Sequence, residues 1–312
     1  MDRTPEKPER ADYEICASNL AYLDRESGLL RRQADAVYAD CVRVILQRYR
    51  KLPSEEAAPI PVFFSAFVNQ HLLSDDLLPA DRNRLLFRLC RALAGQMSDP
   101  EIREALHAFL HIEQPSSSGP QTILYVHNPQ IGAALDSFSS VFPKAGTVRC
   151  ANFSDGCEDV ASGNADACVI PLISSGEGLL SGFVSTLDRY DLKITNLCSV
   201  SSPKEDEPGR FTVYALARRD LILPREDTPC KAILELYPAV ESSMDFLPLN
   251  ELGPALSVSL IQSVPGARLD GTNNLYLILD TGSVHEILPF LQFLREAKVA
   301  YAVLGLCPDP KH

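Results

Sequence analysis

The chain contains no tryptophan, only three methionines and no CxxC pair among its nine cysteines. Without tryptophan, its aromatic content rests on ten tyrosines and thirteen phenylalanines. An odd number of cysteines, spread from Cys16 to Cys307, does not read as a disulfide framework; it fits a reduced, cytoplasmic chain. Positive charge is also scarce. Lysine and arginine number 29 against 41 acidic residues, for a net charge of −12. That balance excludes a protein whose main work is gripping nucleic acid, because counterion release needs a basic surface. No apolar run reaches the ~18 residues of a membrane span, so no membrane partner is expected. The opening, MDRTPEKPERADYE, has no apolar core, and no secretory signal is expected there.

What is present is ordinary globular material, 46 % apolar and 22 % charged, enough to bury a core. At 312 residues the length suits two or three domains. The first 113 residues read as helical. Leu30, Ala34, Val37, Cys41, Val44 and Ile45 fall at three- and four-residue spacing and mark one apolar stripe. Pro53, Pro59 and Pro61 break the pattern; further helices are expected over 62–73, after Pro79 and after Asp99. A polar linker follows at 114–120.

From 122 to 224 short apolar strands alternate with helices. Strands are expected at 123–127, 167–170, 191–195 and 211–217, and helices at 131–141, 155–161 and 177–187. That order favours a mainly parallel α/β layer. Ser174, Ser175, Gly176 and Gly178 are expected to open a helix after the strand 167–170, where free amides and hydroxyls would seat a carboxylate. A charged gap interrupts this region at 201–208. The last unit, 229–312, reads βαββαβ, with helices at 244–252 and 284–297, and Pro289 is expected to bend the second. The negative charge concentrates late: −3 over 1–114 and −9 over the rest.

The run NFSDGCEDVASGNADACVIPLISSGEGLLSGFVSTLDRYDLKI (152–194) resembles the signature of the prephenate dehydratases. GRFTVYALARRD (209–220) resembles their strand bearing Thr-Arg-Phe, and SLIQSVPGA with AYAVLGLCP (300–308) resembles strands of their C-terminal ACT domain. Arg31 and Arg48 are placed like two arginines of the first helix in all-helical chorismate mutases. The order of units is similar to the bifunctional chorismate mutase–prephenate dehydratases. The resemblance implies a fold of three parts: a helical region at 1–113, a shortened single lobe like that of periplasmic binding proteins at 122–224, and a ferredoxin-like ACT unit at 229–312.

It also implies dehydratase chemistry, the loss of CO2 and a ring hydroxyl from prephenate to give phenylpyruvate, without a cofactor or metal. Arg210 and Phe211 take the catalytic positions, while Gly209 stands where the family has its threonine. Ser174, Ser175, Gly178, Arg31 and Arg48 take substrate-binding positions; Ser242, Ser243, Gln262 and Ser263 take effector positions. Glycine offers no proton, and the interval from Pro171 to Arg210 is too short for the family's second lobe. The expected protein is therefore a divergent relative with weakened or lost catalysis. It would bind a small aromatic acid or amino acid and act as a homodimer in aromatic amino-acid metabolism. The alternative is an active dehydratase or mutase with substituted residues.

Other patterns carry less. Gln96 is placed like a late glutamine of the mutases. His107 and His111 lie four apart on a helix but lack a third ligand, and Cys150, Cys157 and Cys168 read as core thiols.

Overall fold

The computed structural model describes residues 10–53, 58–73, 77–110, 112, 119–201, 210–237, 251–252, 256–265 and 273–309; within the first helix it leaves the side chains of 10–21 and 23–24 undescribed. Four helices come first: α1 (Arg10–Tyr49), α2 (Ile60–His71), α3 (Pro79–Ala94) and α4 (Asp99–Leu110). Prolines at the first turns of α2 and α3 cost no hydrogen bond there, because those N–H groups have no partner in the helix. The stripe read on α1 does not all face inward. Val42, Ile45 and Leu46 are buried, while Leu30, Val37 and Val44 are more than half exposed. Leu30, Val37 and Val44, seven apart, share one exposed side of the helix, and the core takes the neighbouring side that carries Val42, Ile45 and Leu46.

The chain then builds β1 (Thr122–Val126), α5 (Ile131–Val141), β2 (Gly146–Cys150), α6 (Phe153–Ser162), β3 (Ala167–Ser174), β4 (Gly178–Leu179), α7 (Ser181–Arg189), β5 (Lys193–Ser201) and β6 (Phe211–Arg218). After it come β7 (Cys230–Tyr237), β8 (Leu256–Pro265), β9 (Asn273–Thr281), a 3-10 turn (Val284–Ile287), α8 (Leu288–Glu296) and β10 (Ala300–Pro308). The helix expected at 244–252 lies, but for its last two positions, outside the described residues.

All these strands join one mixed sheet in the order β2-β1-β3-β6-β5-β10-β7-β9-β8, with β4 hairpinned onto β3. Only β2, β1 and β3 run parallel within the lobe; β6 is antiparallel to both β3 and β5. The layer is thus mixed rather than mainly parallel. With just nine positions between β5 and β6, the chain returns beside the strand it left, and that return runs antiparallel. The β10-β7-β9-β8 half is wholly antiparallel, the strand order of a ferredoxin-like βαββαβ unit. One parallel bridge, Gly305 to Ile194, sutures the two halves.

Pro289 does not bend a helix. It sits in the first turn of α8, just after the 3-10 turn, where a missing N–H is harmless. Helices α1–α4 share one core with α8 and one face of the β7–β9 sheet; Phe87 meets Phe290 and Phe293 edge-on at 6.4 and 5.8 Å. The other face of that sheet (Ile233, Val264, Tyr276, Ile278, Leu304) packs with α6, α7 and the lobe strands. Thus the ferredoxin-like sheet is the middle layer between the helical region and the lobe.

Candidate functional site

The expected helix N-terminus at Ser174–Gly178 is absent. β3 runs on through Pro171, aided by a register shift against β6 between Pro171 and Ile173, and then turns back into β4. A proline is tolerated in a strand at such an irregularity because no ladder bond is required of it. Helix α7 begins only at Ser181. The seat is therefore a β-hairpin, and its polar groups are engaged. The Ser175 Oγ accepts the Phe211 N–H at 3.1 Å, while the Ser175 N–H donates to the Phe211 carbonyl at 3.0 Å. The Ser174 Oγ accepts the Gly176 N–H at 3.3 Å.

The structure thus brings together Ser174, Ser175, Gly178 and Phe211, as expected, with Arg210 exposed at the head of β6. Gly209 lies outside the described residues. At the C-terminal end of β1, Asn128 Oδ1 accepts the Gln130 N–H at 3.0 Å and the Tyr214 hydroxyl at 3.1 Å. Ligands of open α/β sheets gather at this edge, and here its polar groups too are joined to one another.

Gln262, placed by the resemblance in an effector pocket, instead reaches this hairpin. Its Oε1 accepts the Leu179 N–H at 2.7 Å and its Nε2 donates to the Leu179 carbonyl at 3.3 Å. The side-chain amide mimics one more strand residue on the free edge of β4. Gly178 makes room for it. Its φ is +73°, and a Cβ there would lie 2.5 Å from the Gln262 Oε1. Ser263, next along β8, is exposed, as strand alternation requires if Gln262 faces the lobe. Ser242 and Ser243 lie outside the described residues.

Arg31 and Arg48 are not brought together. The 17 positions between them span about 25 Å of helix. Arg31 lines a shallow groove with Glu26, Leu30 and Arg88, whereas the Arg48 guanidinium sits 5.9 Å from the Phe67 ring centre. The Gln96 amide donates to the Ala39 carbonyl and ties α3's end to α1. His107 faces the Ile112 carbonyl at 3.2 Å, and His111 lies outside the described residues.

Two features escaped the sequence reading. Glu235, 1 % exposed in β7, accepts hydrogen bonds from Tyr276 (2.6 Å), Asn274 (2.6 Å) and Tyr237 (3.0 Å). Register sets Gln262, Tyr276 and Glu235 side by side on three strands, a polar row on the face toward the lobe. Burial, together with the Glu235 carboxylate, pushes the Tyr276 hydroxyl far above its ordinary pKa. A lone glutamate between Leu234 and Leu236 was the available signal.

The second feature is a groove of about 1340 Å³, bounded by the end of α4, the turns before β5 and β10, and residues 219–221. Phe109, Leu221, Tyr301 and Val303 supply apolar wall; Lys193, Arg219, Arg295 and Lys298 supply cations against Asp191 and Asp220. Lys193 pairs with Asp191 at 2.6 Å, and the Arg295 guanidinium stacks 4.5 Å over the Phe109 ring. Asp191 and Lys298, at φ of 51° and 56°, are the two non-glycine left-handed residues among those described. Each ends a helix in a turn more often made by glycine. Burial pushes the Tyr301 hydroxyl up to about 12. These residues come from four separated stretches, so spacing along the chain could not reveal them.

No protein-family model and no curated protein matches this chain. Among solved structures, a prephenate dehydratase from Streptococcus mutans is similar over 60 % of this chain and 98 % of its own, at 16 % identity and a TM-score of 0.45. A prephenate dehydratase from Arthrobacter aurescens, in complex with L-Phe, is similar over 61 % of this chain and 90 % of its own, at 14 % identity and a TM-score of 0.46. A protein described as a novel type of quorum quenching acylase is similar over 61 % of this chain and 96 % of its own, at 19 % identity and a TM-score of 0.46.

Proposed function

We propose that this chain is a non-catalytic relative of the prephenate dehydratases that holds a small aromatic acid or amino acid, in a ligand-binding or regulatory role. One observation carries the reading: the main-chain amides of the hairpin that would seat a carboxylate are bonded within the chain itself. The two serine hydroxyls accept main-chain amides, and Gln262 occupies the β4 edge. A carboxylate would have to displace these acceptors from the Gly176, Phe211 and Leu179 N–H groups before binding there, so these amides do not form a preorganised seat for it. Room for a ligand lies instead in the groove, where Phe109 and Tyr301 suit an aromatic ring and Lys298 and Arg219 suit a carboxylate.

The test has two arms. The pure chain is incubated with prephenate and with chorismate, and phenylpyruvate or prephenate is followed; no turnover is expected. Calorimetric titration with L-phenylalanine and phenylpyruvate should show saturable binding, weakened about tenfold by Lys298→Ala. Turnover that disappears in Arg210→Ala would overturn the non-catalytic reading. Absence of both turnover and binding would overturn the ligand.

We infer that the protein is a homodimer paired through α1. Leu30, Ala34, Val37, Cys41 and Val44 follow a 4-3-4-3 spacing, and the same rhythm runs back in the sequence through Ser27, Leu23, Leu20 and Cys16. A seven-residue repeat is what keeps one helix against another. The exposure of Leu30, Val37 and Val44 leaves that seam uncovered within one chain.

A further inference from the structure

Beyond the ligand-holding role, the lobe contains a thiol pair to which nothing so far gives work. Cys157 of α6 and Cys168 of β3 are both buried, and their sulfurs lie 3.7 Å apart. Gly156 brings them together. A Cβ on it would lie 3.1 Å from the Cys150 Sγ and 3.8 Å from the Cys168 Cβ, so the bare glycine lets α6 settle onto the sheet among three cysteines. Cys150, at the end of β2, is half-buried and its thiol donates to the Asn152 carbonyl at 3.4 Å.

A disulfide needs its sulfurs at about 2.05 Å, so closing this pair takes a movement of roughly 1.7 Å shared between two side chains. Helix α6 has only ten residues, held by the Asn152 cap at one end and the Gly163 turn at the other.

We propose that Cys157 and Cys168 form a redox modification site, closing to an intrachain disulfide when the protein meets hydrogen peroxide. Cys157 is the attacking group. The hydrogen bond shared with Cys168 favours the Cys157 thiolate, while that bond and burial push the Cys168 thiol up. The Cys157 thiolate attacks one peroxide oxygen; the S–O bond forms, the O–O bond breaks, and hydroxide leaves and takes up a proton as water. The resulting sulfenic acid is attacked by the Cys168 sulfur. The S–S bond forms, the S–O bond breaks, and the departing hydroxide leaves with the Cys168 proton as a second water. Two thiols and one peroxide become one disulfide and two waters, and two electrons pass from sulfur to oxygen. Peroxide is close to water in size, which suits a buried pair better than a bulky disulfide reagent.

The reduced full-length chain is treated with hydrogen peroxide, quenched with catalase, unfolded in an alkylating reagent and cleaved after glutamate. Cleavage after Glu158 falls between the two cysteines. The expected result is that the fragments bearing Cys157 and Cys168 remain joined and that the uncleaved chain, weighed before alkylation, is about 2 Da lighter than the reduced one. Joining should persist in Cys150→Ser and vanish in both Cys157→Ser and Cys168→Ser. In the native chain it should form at least about tenfold faster than in urea, because packing holds the sulfurs together. Separate fragments carrying oxidised cysteine, joining that survives Cys157→Ser, or equal rates in native and urea-unfolded chain would each overturn the proposal. The rate comparison uses only the unmutated chain and keeps the test decisive if a serine variant does not fold.

Discussion

The side-chain amide of Gln262 pairs with both main-chain groups of Leu179, accepting at 2.7 Å and donating at 3.3 Å. This pairing fastens the edge strand β8 to the hairpin that would otherwise be the lobe's open rim. Gln262→Ala should lower stability by about 1–2 kcal/mol, since it removes two part-buried hydrogen bonds. Gly178→Ala should cost a similar amount, through its positive φ and the approach of the Gln262 Oε1. Urea denaturation of each variant checks both, and a pair of unshifted midpoints would remove the clamp from the account.

Gly305 should tolerate substitution far less. A Cβ there would lie 2.4 Å from the Ile194 carbonyl oxygen and 2.8 Å from its Cβ, at the parallel bridge that joins β10 to β5. Main chain cannot swing aside as a flexible side chain does. Gly305→Ala is expected to cost about 3 kcal/mol or more, the range of overpacked cores. Thermal melting with circular dichroism reads the effect, and a native-like melting temperature would contradict it.

Glu235 is a buried carboxylate satisfied by three donors. Glu235→Ala strands the Tyr276 hydroxyl and the Asn274 amide, an expected loss of about 2–4 kcal/mol. Glu235→Gln retains an acceptor and should lose less. The order of the two variants in chemical denaturation is the measurement, and a reversed order would mean the carboxylate is not what the donors require.

Acid should loosen the tie between α3 and Glu251. Arg88 donates to both Glu251 oxygens, at 2.8 and 2.9 Å. Burial raises the Glu251 pKa, but the Arg88 hydrogen bonds and the charges of Arg88, Arg84 and Arg91 outweigh it and hold the carboxyl below its ordinary value. With the folded pKa depressed, the contribution is complete above the ordinary glutamate value of 4.5 and is lost as pH falls through the folded value. Stability measured from neutral pH down to about pH 3 should therefore fall less steeply in Glu251→Gln than in the unmutated chain.

For the seam on α1, Leu30→Glu with Val37→Glu should convert a dimer to a monomer with unchanged helix content. Both residues are more than 60 % exposed in the single chain, so folding does not depend on them. Sedimentation velocity reads the mass. A monomeric unmutated chain at tens of micromolar, or a dimer in the double variant, would refute pairing through α1.

The sequence by itself determined most elements, because their causes are local. The helix over 131–141 and the strands near 123–127 and 211–217 follow from periodicity and punctuation that neighbours along the chain supply, and the structure places them within a residue or so. The βαββαβ order was legible for the same reason, as far as its elements are described. Of the three thiols expected in the core, Cys157 and Cys168 are buried there and Cys150 is only half-buried.

What failed were readings that needed a partner from elsewhere. Whether Ser174–Gly178 opens a helix or turns a hairpin was decided by β6, which returns beside β3 and offers a ladder to both strands. Which side of α1 is buried was settled by α3, and the role of Gln262 by the curl of the sheet that carries β8 to β4. The groove and the Glu235 cluster draw on residues scores of positions apart. Spacing along a chain encodes contacts made within a turn or a strand. Contacts between elements depend on how the sheet twists and closes, and only the folded chain specifies that.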